Sequence, residues 1–244
     1  YVRTQGADGK DQTFKIAYTF GVEPLQQYLI GFPDGRYQAL TVAWDSRPAE
    51  QGGQRWYQLM PNDMGRPGES LHWTGVYYNW NTQCAACHST GLQENYSQQS
   101  NSYNSTWAEI NVSCESCHGP GSSHSKNPKT SLPVDYSPQL QWVIAKGTDI
   151  ANPLGDPHAG SKTEIDSCAG CHSRRAKISV DSVNNHRPGS EFLDHYRPQT
   201  LREGLYYADG QIQDEVYVYG SFIQSKMHQR GVRCSNCHEP HSLE

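Results

Sequence analysis

Apolar and polar positions alternate near the start of the chain. Phe14, Ile16, Tyr18 and Phe20 recur at every second residue, the period of a strand with one buried face. The run QQYLIGF follows, then Pro33-Asp34-Gly35, then RYQALTVAW. Two runs rich in β-branched and aromatic residues about a Pro-Asp-Gly turn predict an antiparallel hairpin. Residues 13–45 are therefore expected to form a small β unit.

Helical spacing is confined to short stretches further on. Thr106 and Glu109 stand in a capping-box pattern, predicting a helix through Trp107 and Ile110 to Cys114. Val216, Tyr219, Ile223 and Met227 recur at three or four residues, predicting the longest helix over 214–230 with Gly231 as its stop. Residues 95–106 are polar and of low complexity, an expected exposed loop. Residues 119–165, rich in Pro, Gly and Ser, read as a long connector. The pattern divides the chain into a β-rich segment, 1–70, and a segment of loops and short helices, 71–244, expected to pack as one compact unit.

Composition makes this pattern hard to stabilise with side chains alone. Only 35% of the residues are apolar and mean hydropathy is −0.80, a thin supply for a core. Disorder fits badly, because six Trp, fifteen Tyr and five Phe are spread along the length and disordered chains lack aromatics. A bound apolar group is the better reading. A net charge of −5 with no basic stripe argues against a nucleic-acid partner. No stretch approaches the roughly 18 apolar residues of a membrane span.

The eight cysteines fall in four pairs with none left over: Cys84 and Cys87, Cys114 and Cys117, Cys168 and Cys171, Cys234 and Cys237. Each pair is followed at once by a histidine, His88, His118, His172 or His238, giving CAACH, CESCH, CAGCH and CSNCH. CxxCH is the attachment string of c-type haem. Its two thiols add to the vinyl groups along one porphyrin edge, and the adjacent His supplies the proximal iron ligand. Zinc ribbons are indifferent to the residue after CxxC, and a disulfide framework would show scattered spacings. With His at 11 of 244 positions, four such histidines by chance have a probability on the order of one in 10⁵ to 10⁶. Four covalently attached haem c groups are expected, and they supply the missing apolar interior.

Seven histidines remain for the distal faces of four irons: His72, His124, His158, His186, His195, His228 and His241. His241, three residues after His238, is too close to reach the far face of its own haem but well placed to ligate a neighbour. His124 stands in a similar relation to the second motif, His228 in the last turn of the expected final helix, and His72 in LHWTG, twelve residues before Cys84. These four are the expected distal ligands, with His195 in reserve. Met60, Met64 and Met227 are the thioether alternatives.

The strings GRYQALTVAWDSRP, LHWTGVYYNWNTQCAACHSTGL, WAEINVSCESCHGPGSSH and DGQIQDEVYVYGSFIQSKMHQRGVRCSNCHEPHS resemble the multihaem cytochrome module of proteins fused to tetratricopeptide repeats, relatives of cytochrome c554-type domains. The resemblance spans roughly residues 24–243. It implies an exported, mostly irregular multihaem cytochrome c fold, with bis-His haems packed in close pairs. The sequence departs from that family in having no repeat domain and no fifth motif. In format it is similar to tetrahaem subunits of extracellular cytochrome filaments.

No signal peptide is visible at Tyr1, so the sequence is expected to be mature protein from which any export signal has been removed. The function expected is electron transfer rather than catalysis, with other redox proteins, extracellular acceptors or further copies of the chain as partners. The alternatives are a reductase or oxidase of a small nitrogen oxyanion or hydroxylamine, and a haem-bearing module of a larger sensor. The first would need an iron with an open face, and no variant motif such as CxxCK marks one.

Overall fold

A computed structural model describes residues 1–62, 65–136, 141–178 and 186–242. By packing, the chain divides into two units, Tyr1–Asn111 and Val112–Glu244. The β-rich segment 1–70 lies wholly within the first.

In the first unit, β1 (Val2–Gln5) and β2 (Asp11–Phe14) form a two-stranded ribbon. The main sheet is antiparallel and five-stranded. It holds β3 (Ile16–Phe20), β4 (Leu25–Gly31), β5 (Tyr37–Ala39), β6 (Val42–Asp45) and β7 (Arg55–Gln58), with β4 pairing β3, β5 and β6. The expected hairpin is present. Phe32 N–H donates to the Arg36 carbonyl and Gly35 N–H to that of Phe32. Gly35 has φ +81° and an added Cβ would meet the Tyr103 carbonyl, so the turn needs glycine there. The sheet runs on to Gln58, beyond the expected limit, because Arg55–Gln58 pairs with β6.

Strand alternation sends neighbouring β4 residues to opposite faces, and both are covered. On one face Leu29 packs with Ala39, Trp80 and Ala85. On the other Ile30 packs with Leu40 and Trp73. The loop carrying Trp73 is held by buried Gln38, whose Nε2 donates to the carbonyls of Trp73 (3.1 Å) and Gly75 (2.9 Å). Asn81, fully buried, accepts from Tyr37 N–H at 2.8 Å and donates to Ser105 Oγ at 2.8 Å. Two one-turn helices follow, α1 (Trp80–Gln83) and α2 (Ala85–His88). Trp80, 2% exposed, is the largest anchor of this junction. Trp80→Ala is expected to lower stability by about 3–5 kcal/mol, measured by denaturant unfolding.

Residues 95–106 form a hairpin of β8 (Tyr96–Ser97) and β9 (Ser102–Tyr103), largely exposed. The helix predicted from Thr106 is absent. Thr106 exchanges backbone hydrogen bonds with Gln93, and Glu109 bridges Thr90. Trp107 meanwhile docks edge-on against Tyr18, Tyr37 and Trp80. Pairing and aromatic burial override the capping pattern, which has no following helical ladder to cap.

The second unit is mostly irregular. It holds α3 (Glu115–His118), α4 (Ser122–Lys126), the hairpin β10 (Gln141–Ile144) with β11 (Ala151–Leu154), and α5 (Ser161–Ala169). Next come β12 (Arg175–Lys177), α6 (Phe192–His195) and β13 (Tyr196–Pro198), then α7 (Tyr219–Ile223) and α8 (Lys226–Gln229). The single helix expected over 214–230 is thus two short ones. Ser225 adopts extended backbone and its Oγ accepts from His228 N–H, capping a new helix and ending the old. Gly231, at φ +79°, stops the second helix as expected. The core joins Ile165, Ala169, Phe192, Tyr196 and Tyr219. No helix among the described residues is long and apolar enough to cross a membrane.

Candidate haem-binding sites

All four CxxCH strings fold in the same way. The carbonyl of the first cysteine accepts from the N–H of the second cysteine and of the histidine. From Cys87 and His88 to Cys84 both distances are 3.1 Å, and from Cys117 and His118 to Cys114 they are 3.2 and 2.9 Å. From Cys171 and His172 to Cys168 they are 3.1 and 2.9 Å, and from Cys237 and His238 to Cys234 they are 3.1 and 3.0 Å. A helical turn places residues i, i+3 and i+4 on one face. Both thiols and the imidazole of each motif therefore share a face, the arrangement that attachment along one porphyrin edge with axial ligation requires.

None of the eight cysteines is joined in a disulfide. Their exposure differs. Cys84, Cys87, Cys168, Cys171 and Cys234 are half-buried, whereas Cys114, Cys117 and Cys237 are exposed. In the third motif Cys168 and Cys171 are both half-buried, while in the fourth Cys234 is half-buried and Cys237 faces solvent.

The back of each turn is used for anchoring. Ala85 and Ala169, each following its motif's first cysteine, are 0% and 1% exposed. Ser89 and Ser173 follow the histidines of the same two motifs. Their hydroxyls donate to the carbonyls of Ala85 (2.6 Å) and Ala169 (2.7 Å). The repeated string CAxCHS is a sequence signal of this back-face lock that the motif alone does not reveal. In the second motif Glu115 takes the position and accepts from Gly121 N–H at 2.7 Å. In the fourth, Ser235 N–H and Oγ donate to the Glu164 carboxylate at 2.7 and 2.8 Å. Buried Arg233 lies 3.7 Å from that carboxylate. Glu164 sits on α5, one turn before Cys168, so it ties the third motif to the fourth. Nothing in the sequence pattern marks this pair. At the same junction Cys168 and Cys234 share a thiol hydrogen bond, which with burial holds the Cys168 thiol protonated. Burial, then Cys87, pushes Cys84 up to about 11.

The histidines differ in how their rings are held. His118 Nδ1 donates to the Val134 carbonyl at 3.1 Å, and His124 Nδ1 to the Thr130 carbonyl at 2.7 Å. His241 Nδ1 is 2.8 Å from Glu239 Oε1. Carbonyls and carboxylates only accept, so in each case Nδ1 carries the hydrogen and Nε2 keeps its lone pair, the tautomer that ligates iron. The connector after the second motif supplies two of these acceptors, because it folds back instead of leading away. Tyr136 donates to the Cys117 carbonyl and packs edge-on against His118 at 5.3 Å. His118 and His124 both line an open cleft of about 240 Å³ there.

His72 is buried, with Nδ1 2.8 Å from Thr74 Oγ1, and burial lowers its pKa. His228 packs edge-on against Phe222 at 5.7 Å. His118 and His241 are brought together, with ring centroids 6.0 Å apart and planes 6° from parallel. His186 and His195 also meet, at 5.6 Å and 82°. Burial, then His195 and Arg175, pushes His186 down to about 4. Met60 is exposed, as is Met227; Met64 lies outside the described residues.

Known proteins place this geometry. The family described as "Cytochrome c554 and c-prime" matches residues 54–119, a stretch holding His72 and the first two motifs. The crystal structure of the outer cell wall cytochrome OcwA matches 80% of this chain with a TM-score of 0.51 and 20% identity. The chain shares its fold with that cytochrome. The chain spans only 36% of the OcwA chain. No curated protein matches it.

Proposed function

We propose that this chain is an electron-transfer protein carrying four haem c groups, each iron closed on both sides by imidazole. The observation that carries the reading is the four identical turns, which present two thiols and one imidazole on a common face. When bound, each haem supplies a one-electron iron couple. The cysteines hold the groups: Cys84 with Cys87, Cys114 with Cys117, Cys168 with Cys171, and Cys234 with Cys237. His88, His118, His172 and His238 are the proximal ligands, and the distal ligands are drawn from His72, His124, His228 and His241. An iron with both axial positions filled changes oxidation state without binding substrate. The chain's role is then to set burial, ligand basicity and spacing. The Ser235–Glu164 hydrogen bonds hold the third and fourth attachment points together, which favours a short electron hop.

The protein of similar fold is described as an outer cell wall cytochrome, which supports export. The partners of this chain on this reading are redox proteins or extracellular acceptors. Exposed Val76, Tyr77 and Trp56 offer apolar surface for assembly of copies into a filament. Negative-stain microscopy over a concentration series is expected to show filaments; monodisperse particles throughout would remove the filament.

Carbon monoxide added to the reduced holoprotein tests the electron-transfer reading. The expected result is an unchanged Soret band. Immediate complex formation would reveal an open iron and favour the reductase of a nitrogen oxyanion or hydroxylamine.

A further inference from the structure

His118 closes the second attachment motif, and His241 stands beyond the fourth. Their rings are 6.0 Å apart and within 6° of parallel. One metal held by two imidazoles imposes a definite span. Two metal–nitrogen bonds of about 2 Å, plus about 1.1 Å from each ring centre to its nitrogen, separate the centroids by about 6 Å. The tautomers agree independently. Val134 and Glu239 occupy the two Nδ1 atoms, leaving both Nε2 lone pairs for a metal.

We propose that His118 and His241 are the two axial ligands of a single iron, that of the haem attached at Cys114 and Cys117. The assignment rests on the haem reading above and deepens it. The fourth motif thereby completes the second haem rather than its own. Glu239 is the positioning residue: its Oε1 accepts both the backbone N–H of His241, at 2.9 Å, and Nδ1, at 2.8 Å. A carboxylate on Nδ1 makes the imidazole a stronger donor and favours ferric iron. His241 follows His238 by three positions, so the second and fourth haems are neighbours. With the Ser235–Glu164 hydrogen bonds tying the fourth motif to the third, the relay within this unit runs second, fourth, third.

The test uses the full-length holoprotein and electron paramagnetic resonance of the ferric state. His241→Ala is expected to turn one haem in four high-spin, with added imidazole restoring the low-spin signal. In a Cys114→Ala/Cys117→Ala background, which lacks the second haem, the same substitution is expected to change nothing. A high-spin signal in that background would assign His241 to another iron and overturn the proposal. So would four low-spin haems in His241→Ala alone. His241→Met keeps a ligand and is expected to stay low-spin with one potential raised. Glu239→Gln is expected to raise the same potential without a spin change; an unmoved potential would remove Glu239 from the assignment. Wild-type protein without low-spin haem would instead refute the electron-transfer reading itself.

Discussion

Replacing Cys84 and Cys87 together by alanine is expected to remove one covalent haem and leave three. The turn at 84–88 holds its shape through backbone hydrogen bonds from Cys87 and His88 to the Cys84 carbonyl, which alanine keeps. Its back face stays locked by Ala85 and the Ser89 hydroxyl. What disappears is the pair of thioethers. Without them nothing covalent holds the haem, and the site loses it. The measurement is haem content after acid extraction, with a quarter of the covalent haem missing. The first unit also loses an apolar plate from its interior, so its unfolding midpoint falls. An unchanged covalent haem content would mean that this motif is not an attachment site.

Replacing Glu164 by alanine is expected to cost about 3–5 kcal/mol, the range for removing one partner of a buried ion pair. The carboxylate is 6% exposed and Arg233 beside it 1%. Its two oxygens accept the Ser235 N–H and hydroxyl. Alanine leaves those donors, and a buried guanidinium, without this acceptor. Because Glu164 precedes Cys168 on α5 and Ser235 follows Cys234, the substitution also loosens the junction of the third and fourth motifs. Denaturant unfolding of the holoprotein reads the loss of stability, and flash-initiated kinetics read a slower hop between those haems. Glu164→Gln retains an acceptor oxygen and is expected to cost less. A change within about 0.5 kcal/mol, the range of ordinary surface substitutions, would contradict the role given to this cluster.

The attachment turns were legible in the sequence because their chemistry is local: two thiols and an imidazole within five residues force one helical turn. What the motifs did not reveal is how deeply each thiol sits, as with sheltered Cys171 against exposed Cys237, because that depends on what packs around the turn. The hairpin about Pro33–Gly35 was legible for a local reason too, since alternation and turn residues act over neighbours. The helix expected from Thr106 failed because Thr90 and Gln93 claim its backbone and the aromatic cluster claims Trp107. The 214–230 helix failed through one residue, Ser225, whose hydroxyl restarts the helix. Apolar spacing alone does not register such a cap. The meeting of His118 with His241 joins positions more than a hundred residues apart, and no sequence period encodes it. The Glu164–Arg233 pair was hidden likewise, because a charged residue reads as exposed until its partner is known.

Intact mass measured after denaturation reads covalent haem without help from axial ligands. The expected mass is that of the 27.4 kDa polypeptide plus four haem groups that survive unfolding. A mass equal to the bare chain would contradict it, and so would a group lost on denaturation.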